Sequence, residues 1–151
     1  MDDEFIFSDE DIVPDHVEND IWTILVVDDD QDVHIATKLT LDKVMIAGRS
    51  LNLIDVNSGL EAIHTLKNNK SIDLVLLDMV MESSEAGLEV ANWLRHEAGC
   101  HDRPNIILRT GQPGLLTRSE LAQNLDFDAV VEKSAITRSN FIQLLTKILA
   151  S

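Results

Sequence analysis

Apolar residues in this chain are concentrated in five short runs, which are separated by longer segments of mixed polar and apolar residues. In chain order the runs are Ile24–Val27, Leu51–Val56, Ile72–Asp78, Ile106–Leu108 and Phe127–Val131. The stretches ILVV in the first run and LVLL in the third are uninterrupted, which is typical of strands buried on both faces of a parallel sheet. The runs therefore predict five strands.

Most of the segments between these strands show helical spacing of their apolar residues. The predicted helices are Gln31–Val44, Ser58–Leu66, Leu88–Leu94 with an end near Gly99, Thr117–Asn124 and Phe141–Leu149. The first helix is expected to turn four apolar residues inward, namely Val33, Ala36, Leu41 and Val44. Ser58 and Glu61 have the spacing of a capping box, and residues 46–50 are expected to form a plain connection. Five alternations of strand and helix predict an α/β fold, a doubly wound five-stranded parallel sheet with five helices and right-handed crossovers.

Length and charge limit the domain organisation. A chain of 151 residues with 44% hydrophobic residues is long enough for one domain with a substantial core. The formal net charge is −15, and residues 1–20 contain nine acids and no Lys or Arg. We therefore expect a flexible acidic N-terminal arm over residues 1–20 and a folded domain over residues 21–151. This charge argues against direct binding of nucleic acid or of an anionic membrane surface.

Targeting signals and cysteine usage indicate a compartment. The first residues are acidic and lack the basic and apolar regions of a secretory signal, and no apolar run approaches the length needed to span a membrane. Cys100 is the single cysteine, so an intramolecular disulfide is excluded. The sequence is therefore expected to be that of a soluble cytoplasmic protein.

Chemically informative residues follow four of the predicted strands. They are Asp28 and Asp29 after the first strand, Asp78 at the end of the third, Thr110 and Gly111 after the fourth, and Lys133 after the fifth. Ligands of open α/β sheets bind beyond the carboxyl ends of the strands, near the point where the strand order reverses. These residues are therefore expected to meet at one edge of the sheet.

The residue types at this edge suggest phosphoryl transfer. Carboxylates brought close together repel each other unless a cation is present, and all-oxygen ligands suit Mg²⁺. A carboxylate beside such a metal can attack a phosphoryl group, while Lys133 and Thr110 neutralise or bind its oxygens. At Gly111 a side chain would crowd the phosphoryl group, and the backbone N–H is a further donor.

Each residue also has a simpler interpretation. Asp28 can belong to a helix start, Asp78 and Thr110 to turns, and Lys133 to a solvated surface. A neighbouring residue, Arg109, is expected to pair with Glu82 or Glu132 at the rim of the site. Taken singly, these interpretations are favoured. An acid pair, an acid, a Thr-Gly pair and a lysine at four strand ends in this order favour a functional site.

The strings ILVVDDD, LVLLDMVM, IILRTG and VVEKS resemble the receiver domain of two-component response regulators over about residues 22–150. The resemblance implies a flavodoxin-like fold with strand order 2-1-3-4-5. It further implies that Asp78 accepts a phosphoryl group from a sensor histidine kinase or phosphotransfer protein. Mg²⁺ would be bound by Asp28, Asp29, Asp78 and the backbone carbonyl of Val80, and Thr110 and Lys133 would hold the aspartyl phosphate. The domain would catalyse only its own phosphorylation and dephosphorylation.

The wording DMVMESSEAGLEV with IILRTGQPG resembles a narrower subgroup, which precedes HD-GYP-type cyclic-di-GMP phosphodiesterase outputs. An output domain, a partner protein or a second copy of the chain in a homodimer would dock on the face formed by the fourth predicted helix, the fifth strand and the fifth helix. One departure concerns Val130, three residues before Lys133, where receivers commonly carry a Tyr or Phe that moves with the threonine on activation. The usual Thr-aromatic switch is therefore in doubt.

Two alternatives remain. Phosphatases of the haloacid dehalogenase type also form an aspartyl phosphate on Mg²⁺, and the segment Asp28–Asp30 contains their Asp-x-Asp pattern. Such a site needs an acidic pair after the lysine, whereas no Asp or Glu follows Lys133. The second alternative is a receiver-like interaction module that accepts no phosphate, and the complete set of acids argues against it.

Overall fold

The computed structural model describes residues 21–79, 81, 86–98, 104–111, 127–133 and 136–150. Six strands and four α-helices are found in this part of the chain. The strands are β1 (Ile21–Val27), β2 (Met45–Ile46), β3 (Arg49–Val56), β4 (Leu74–Asp78), β5 (Asn105–Thr110) and β6 (Ala129–Glu132). The helices are α1 (Gln31–Leu41), α2 (Gly59–Asn68), α3 (Ala86–Asn92), which continues into a π-helical turn (Trp93–Glu97), and α4 (Arg138–Leu149).

The sheet has the strand order β2-β3-β1-β4-β5-β6. All neighbours are parallel except β2 and β3, which are antiparallel. Without the two-residue β2, the order of the five parallel strands is the predicted 2-1-3-4-5. The α/β class and the predicted topology are confirmed, and the order reverses at β1, between β3 and β4.

The additional strand β2 corrects the expectation that residues 46–50 are a plain connection. Met45 pairs with Ser50 and Ile46 with Arg49, so the two residues between Ile46 and Arg49 form a tight hairpin turn. Their φ angles are both positive, 52° for Ala47 and 78° for Gly48, as in the turns that match the twist of paired strands. This segment lacked the Asn-Gly or Asp-Gly signal that usually identifies such a turn.

Alternate residues of the central strands pack against helices on opposite faces of the sheet. On one face, Leu25, Val75 and Leu108 contact a core that includes residues of α2 and α3. On the other face, Ile24, Leu76 and Ile107 belong to a core that includes residues of α1 and α4. Every residue of β4 is buried, as expected for a central strand with helices on both sides.

Side-chain hydrogen bonds cap the N-termini of three helices. The side chains of Asp30, Ser58 and Thr137 accept hydrogen bonds from backbone N–H groups in the first turns of α1, α2 and α4. Glu61 accepts from the backbone N–H of Asn57 at 2.7 Å, one residue before the N-cap, rather than from Ser58 N as in a standard capping box.

The inward face of α1 differs from the prediction. Its buried residues are His34, Thr37 and Leu41, and the helix ends at Leu41 rather than Val44. Val33 is only partly buried and Ala36 is exposed. Leu41 is buried as expected, but His34 and Thr37 take the other inward positions, because polar side chains turn inward where α1 approaches the end of the sheet.

Several expectations concern residues outside the described part of the chain. They are the acidic arm over residues 1–20, the predicted helix at Thr117–Asn124 and the contribution of Val80 to metal binding. No helix within the described ranges is long and apolar enough to cross a membrane.

Candidate functional site

The strand order places four of the predicted site residues at the carboxyl edge of the sheet. Asp28 follows β1, Asp78 ends β4, Thr110 ends β5 and Lys133 follows β6, and these four strands are adjacent. Backbone hydrogen bonds continue the pairing to the end of the strands, since Lys133 N donates to the carbonyl of Thr110 at 2.9 Å. The edge is therefore held by the sheet itself rather than by a loose loop.

Three carboxylates meet at this edge. One oxygen each from Asp28, Asp29 and Asp78 lie within 4.8 Å of one another. Asp28 is fully buried, Asp78 is 4% exposed, and Asp29 is on the surface. Asp28 Oδ1 accepts a hydrogen bond from the backbone N–H of Asp30 at 2.9 Å, which fixes that carboxylate. Because the three carboxylate oxygens converge and oxygen is the ligand atom that hard divalent cations prefer, the cluster could hold such a cation.

Lys133 bridges two of these carboxylates. Its Nζ lies 2.9 Å from Asp28 Oδ2 and 3.1 Å from Asp78 Oδ2. Partial burial opposes the charge on the lysine, but the two carboxylates that it contacts outweigh burial and raise the pKa of Lys133 above its ordinary value of 10.5. The ammonium group is therefore charged at neutral pH and positioned beside the Asp78 carboxylate.

Thr110 and Gly111, at the end of β5, differ in how closely the protein surrounds them. Thr110 is 6% exposed at the end of β5. A Cβ placed on Gly111 would meet no atom of the described residues within 4 Å, so packing against this part of the chain does not require glycine there.

Comparison with known proteins identifies the family. A family model described as the response regulator receiver domain matches residues 24–146. The chain belongs to this family. This result agrees with the strings in the sequence that resemble receiver domains. Receiver domains are not themselves a family of catalytic enzymes.

One curated relative of this receiver domain is the 3'3'-cGAMP-specific phosphodiesterase 2 of Vibrio cholerae. The two are 35% identical over 128 residues, which is 85% of this chain and 24% of the relative. The chain thus spans about a quarter of the length of that phosphodiesterase.

Solved structures show the same fold. A response regulator receiver protein from Sinorhizobium medicae is 25% identical, with a TM-score of 0.66 over 88% of this chain and 98% of that one. The signal receiver domain of an HD domain-containing protein from Pseudomonas fluorescens is 16% identical, with a TM-score of 0.69 over 85% of this chain and 94% of that one.

His34, to which the sequence pattern assigned no special role, lies against the turn that carries Asp28. His34 is 1% exposed, and its Nε2 donates to the backbone carbonyl of Asp28 at 2.8 Å. Its Nδ1 lies 3.2 Å from Asp55 Oδ1. The imidazole therefore lies between β3 and the turn after β1, and its hydrogen bond is the one to the Asp28 carbonyl. The sequence pattern does not indicate this hydrogen bond, because a histidine on the polar side of a predicted helix is expected to face solvent.

Arg109 was expected at the exposed rim of the site, paired with Glu82 or Glu132; its exposed position is wrong, and Glu82 lies outside the described residues. Arg109 is 7% exposed and pairs in register with Asp78 across β4 and β5. Its Nη1 donates to Thr37 Oγ1 on α1 at 3.1 Å. Burial lowers the pKa of Arg109, although the negative charges of Asp28 and Asp78 act in the opposite direction. The available signal was the alternation of β5, which places Arg109 on the same face as buried Ile107.

Proposed function

We propose that this receiver domain accepts a phosphoryl group on Asp78 from a phosphohistidine of a sensor histidine kinase or phosphotransfer protein. The observation that carries the proposal is the bridging position of Lys133, whose Nζ contacts both Asp28 and Asp78. A carboxylate that is buried, paired with a lysine and adjacent to two further acids is arranged for chemistry on its oxygen rather than for ending a strand.

In the proposed reaction, an oxygen of the Asp78 carboxylate attacks phosphorus. The bond between phosphorus and the histidine nitrogen breaks, and the departing imidazole keeps the electron pair and takes up a proton. Lys133 holds Asp78 in place before the transfer and pairs with an oxygen of the aspartyl phosphate after it. The hydroxyl of Thr110, at the end of the neighbouring strand, donates to a second oxygen, and the backbone N–H of Gly111 is a further donor.

Mg²⁺ is the cation that we propose for the carboxylate cluster. Asp28, Asp29 and Asp78 supply three carboxylates, of which Lys133 neutralises only part, and oxygen ligands of this kind suit Mg²⁺ better than softer metals. The carbonyl of Val80 would be a fourth ligand. Bound there, Mg²⁺ would offset the negative charge of the carboxylates and of the incoming phosphoryl group.

The signal would then pass to an output. The relative from Vibrio cholerae is a phosphodiesterase of which this chain matches about a quarter, so we propose that an output of this kind is controlled by phosphorylation of the receiver. The face that includes β6 and α4 is the proposed docking surface for that output, a partner protein or a second copy in a homodimer. Val130, whose side chain packs against the core on the α2 and α3 side, replaces the aromatic residue of the usual switch.

The decisive experiment is phosphorylation by acetyl phosphate in the presence of Mg²⁺, with mapping of the modified residue by mass spectrometry. We expect one phosphoryl group on Asp78, none in the Asp78→Asn variant, and none in the presence of excess EDTA. Asp73→Asn is a matched control in the same strand region, because Asp73 accepts a hydrogen bond from Thr23 N far from the carboxyl edge. Phosphate on Asp28 would instead support the phosphatase alternative, and no incorporation would support the interaction module.

A further inference from the structure

Arg109 places a permanent positive charge inside the protein, at the carboxyl edge of the sheet. The residue precedes Thr110 in β5 and pairs in register with Asp78 of β4. Its side chain is buried against α1, where Nη1 donates to Thr37 Oγ1 at 3.1 Å. The proposed phosphoryl transfer assigns no part to this charge.

Hydrogen bonding does not explain why an arginine is buried at this position. Nη1 has the hydroxyl of Thr37 as its acceptor, whereas Nε and Nη2 are buried and have no hydrogen-bond partner among the described residues. Thr37 does not depend on the arginine, because its hydroxyl donates to the backbone carbonyl of Val33 at 2.7 Å. Burial of a charged group with most of its N–H groups unpaired is costly, so another interaction has to offset that cost.

The charges of Asp28 and Asp78 supply this interaction. Burial lowers the pKa of Arg109, and the negative charges of these two buried carboxylates act in the opposite direction. The attraction is mutual, so the arginine stabilises the two carboxylates in turn. Because the groups are buried, solvent and salt screen this attraction much less than they would at the surface.

The acid cluster is therefore balanced by two cations that act differently. Lys133 contacts Asp28 at 2.9 Å and Asp78 at 3.1 Å, and 26% of its side chain is exposed. Arg109 acts on the same two carboxylates from a greater distance and from inside the protein. A positive charge fixed beside a cation site weakens the binding of a cation and strengthens the binding of an anion.

We propose that Arg109 is a positioning residue of the acid cluster. Its fixed charge stabilises the carboxylates of Asp28 and Asp78, lowers the affinity of the cluster for Mg²⁺ and favours the added negative charge of an aspartyl phosphate. This inference rests on the proposed function for the metal and the phosphoryl group, and it names the residue that sets the balance between them. An arginine with a merely structural role would have the opposite effect on Mg²⁺, because its loss would distort the cluster and weaken binding.

Titration with Mg²⁺ of the wild type and of Arg109 variants tests the proposal. The amide NMR signal of Asp30 reports binding, because its backbone N–H donates to Asp28 Oδ1. In Arg109→Met, which keeps an apolar side chain and removes the charge, we expect the dissociation constant for Mg²⁺ to fall about tenfold. Arg109→Gln, a second neutral variant, should also tighten binding. Arg109→Lys retains the charge and should stay within about threefold of the wild type.

Lys38→Met is the matched control for the loss of one positive charge. Lys38 lies on α1, its side chain is 62% exposed, and its Nζ is 3.5 Å from Asp55 Oδ2. Solvent and salt screen a charge at this position, so its removal should change the dissociation constant for Mg²⁺ by less than about twofold.

A double-mutant cycle in EDTA tests the interaction between the charges without any metal. Urea unfolding gives the unfolding equilibrium constants of the wild type, Arg109→Met, Asp78→Asn and the double variant. If the charge of Arg109 acts on Asp78, Arg109→Met should raise the unfolding constant at least about fivefold more in the wild-type background than in the Asp78→Asn background.

Three outcomes would overturn the proposal. They are unchanged or weaker Mg²⁺ binding in both neutral variants, tightening in Arg109→Lys equal to that in Arg109→Met, and a coupling to Asp78 below about twofold. A coupling in EDTA without Mg²⁺ binding by any of the proteins would instead refute the metal site of the proposed function, while still supporting the action of Arg109 on Asp78. Failure of the proposed function is therefore distinguishable from failure of this inference.

Discussion

Replacing Lys133 by Met should destabilise the fold in a way that depends on Mg²⁺. The lysine is an ion-pair partner of two carboxylates, at 2.9 Å from Asp28 and 3.1 Å from Asp78. Methionine keeps most of the apolar volume and removes the charge together with the N–H groups that bond the two carboxylates. Without Lys133, the three acids whose oxygens lie within 4.8 Å of one another lose this charge; among the described residues, the more distant charge of Arg109 still acts on Asp28 and Asp78.

The size of the effect follows from burial. Removing one partner of a buried ion pair costs about 3–5 kcal/mol. Asp28 and Asp78 are buried, but 26% of the Lys133 side chain is exposed and solvent screens its charge, so we expect a loss of about 2 kcal/mol in the free energy of unfolding in EDTA. With saturating Mg²⁺, which would supply positive charge to the same carboxylates, the loss should fall below about 1 kcal/mol.

Urea unfolding of the wild type and of Lys133→Met, each with EDTA and with Mg²⁺, measures these differences. Lys38→Met is the matched control, because Lys38 is 62% exposed and contacts Asp55 at 3.5 Å. Its loss should be below about 0.5 kcal/mol and independent of Mg²⁺. A loss in Lys133→Met that is as small as this, or that is the same in EDTA and in Mg²⁺, would refute the electrostatic account of the site.

Three further predictions concern the neighbourhood of the site. Gly87→Ala should reduce the free energy of unfolding by about 2–3 kcal/mol, because the new Cβ would lie 2.8 Å from Met79 Cα. A change below about 0.5 kcal/mol in urea unfolding would contradict this packing. Ser58→Ala should cost about 1 kcal/mol through the lost hydrogen bond to Glu61 N, and Ser58→Thr should retain most of the stability if the cap is the cause. The phosphoryl group on Asp78 should decay slowly, over minutes or longer, because the side chain of Val80 has no polar atom to orient an attacking water. A decay followed by intact mass spectrometry that is complete in seconds would be inconsistent with this reasoning.

Local patterns predicted most of the architecture, because strands and helices each have a characteristic spacing of apolar residues along the chain. The run that ends in Asp78 became the fully buried β4, and the spacing of Ser58 and Glu61 became the start of α2. The hairpin of β2 and β3 was missed, because Ala47 adopts a positive φ that its residue type seldom takes. Short antiparallel pairing of this kind depends on the partner strand as much as on the turn.

The sequence by itself determined the fold class, the strand order implied by the family resemblance, and the group of acids and lysine expected at one edge of the sheet. Only the tertiary structure decided which polar side chains near that edge are buried. His34 and Arg109 look like surface residues in the sequence, yet they are 1% and 7% exposed. The physical reason is that burial of a polar side chain depends on acceptors from other elements, here the carbonyl of Asp28 and the hydroxyl of Thr37, and no local period records where those acceptors lie.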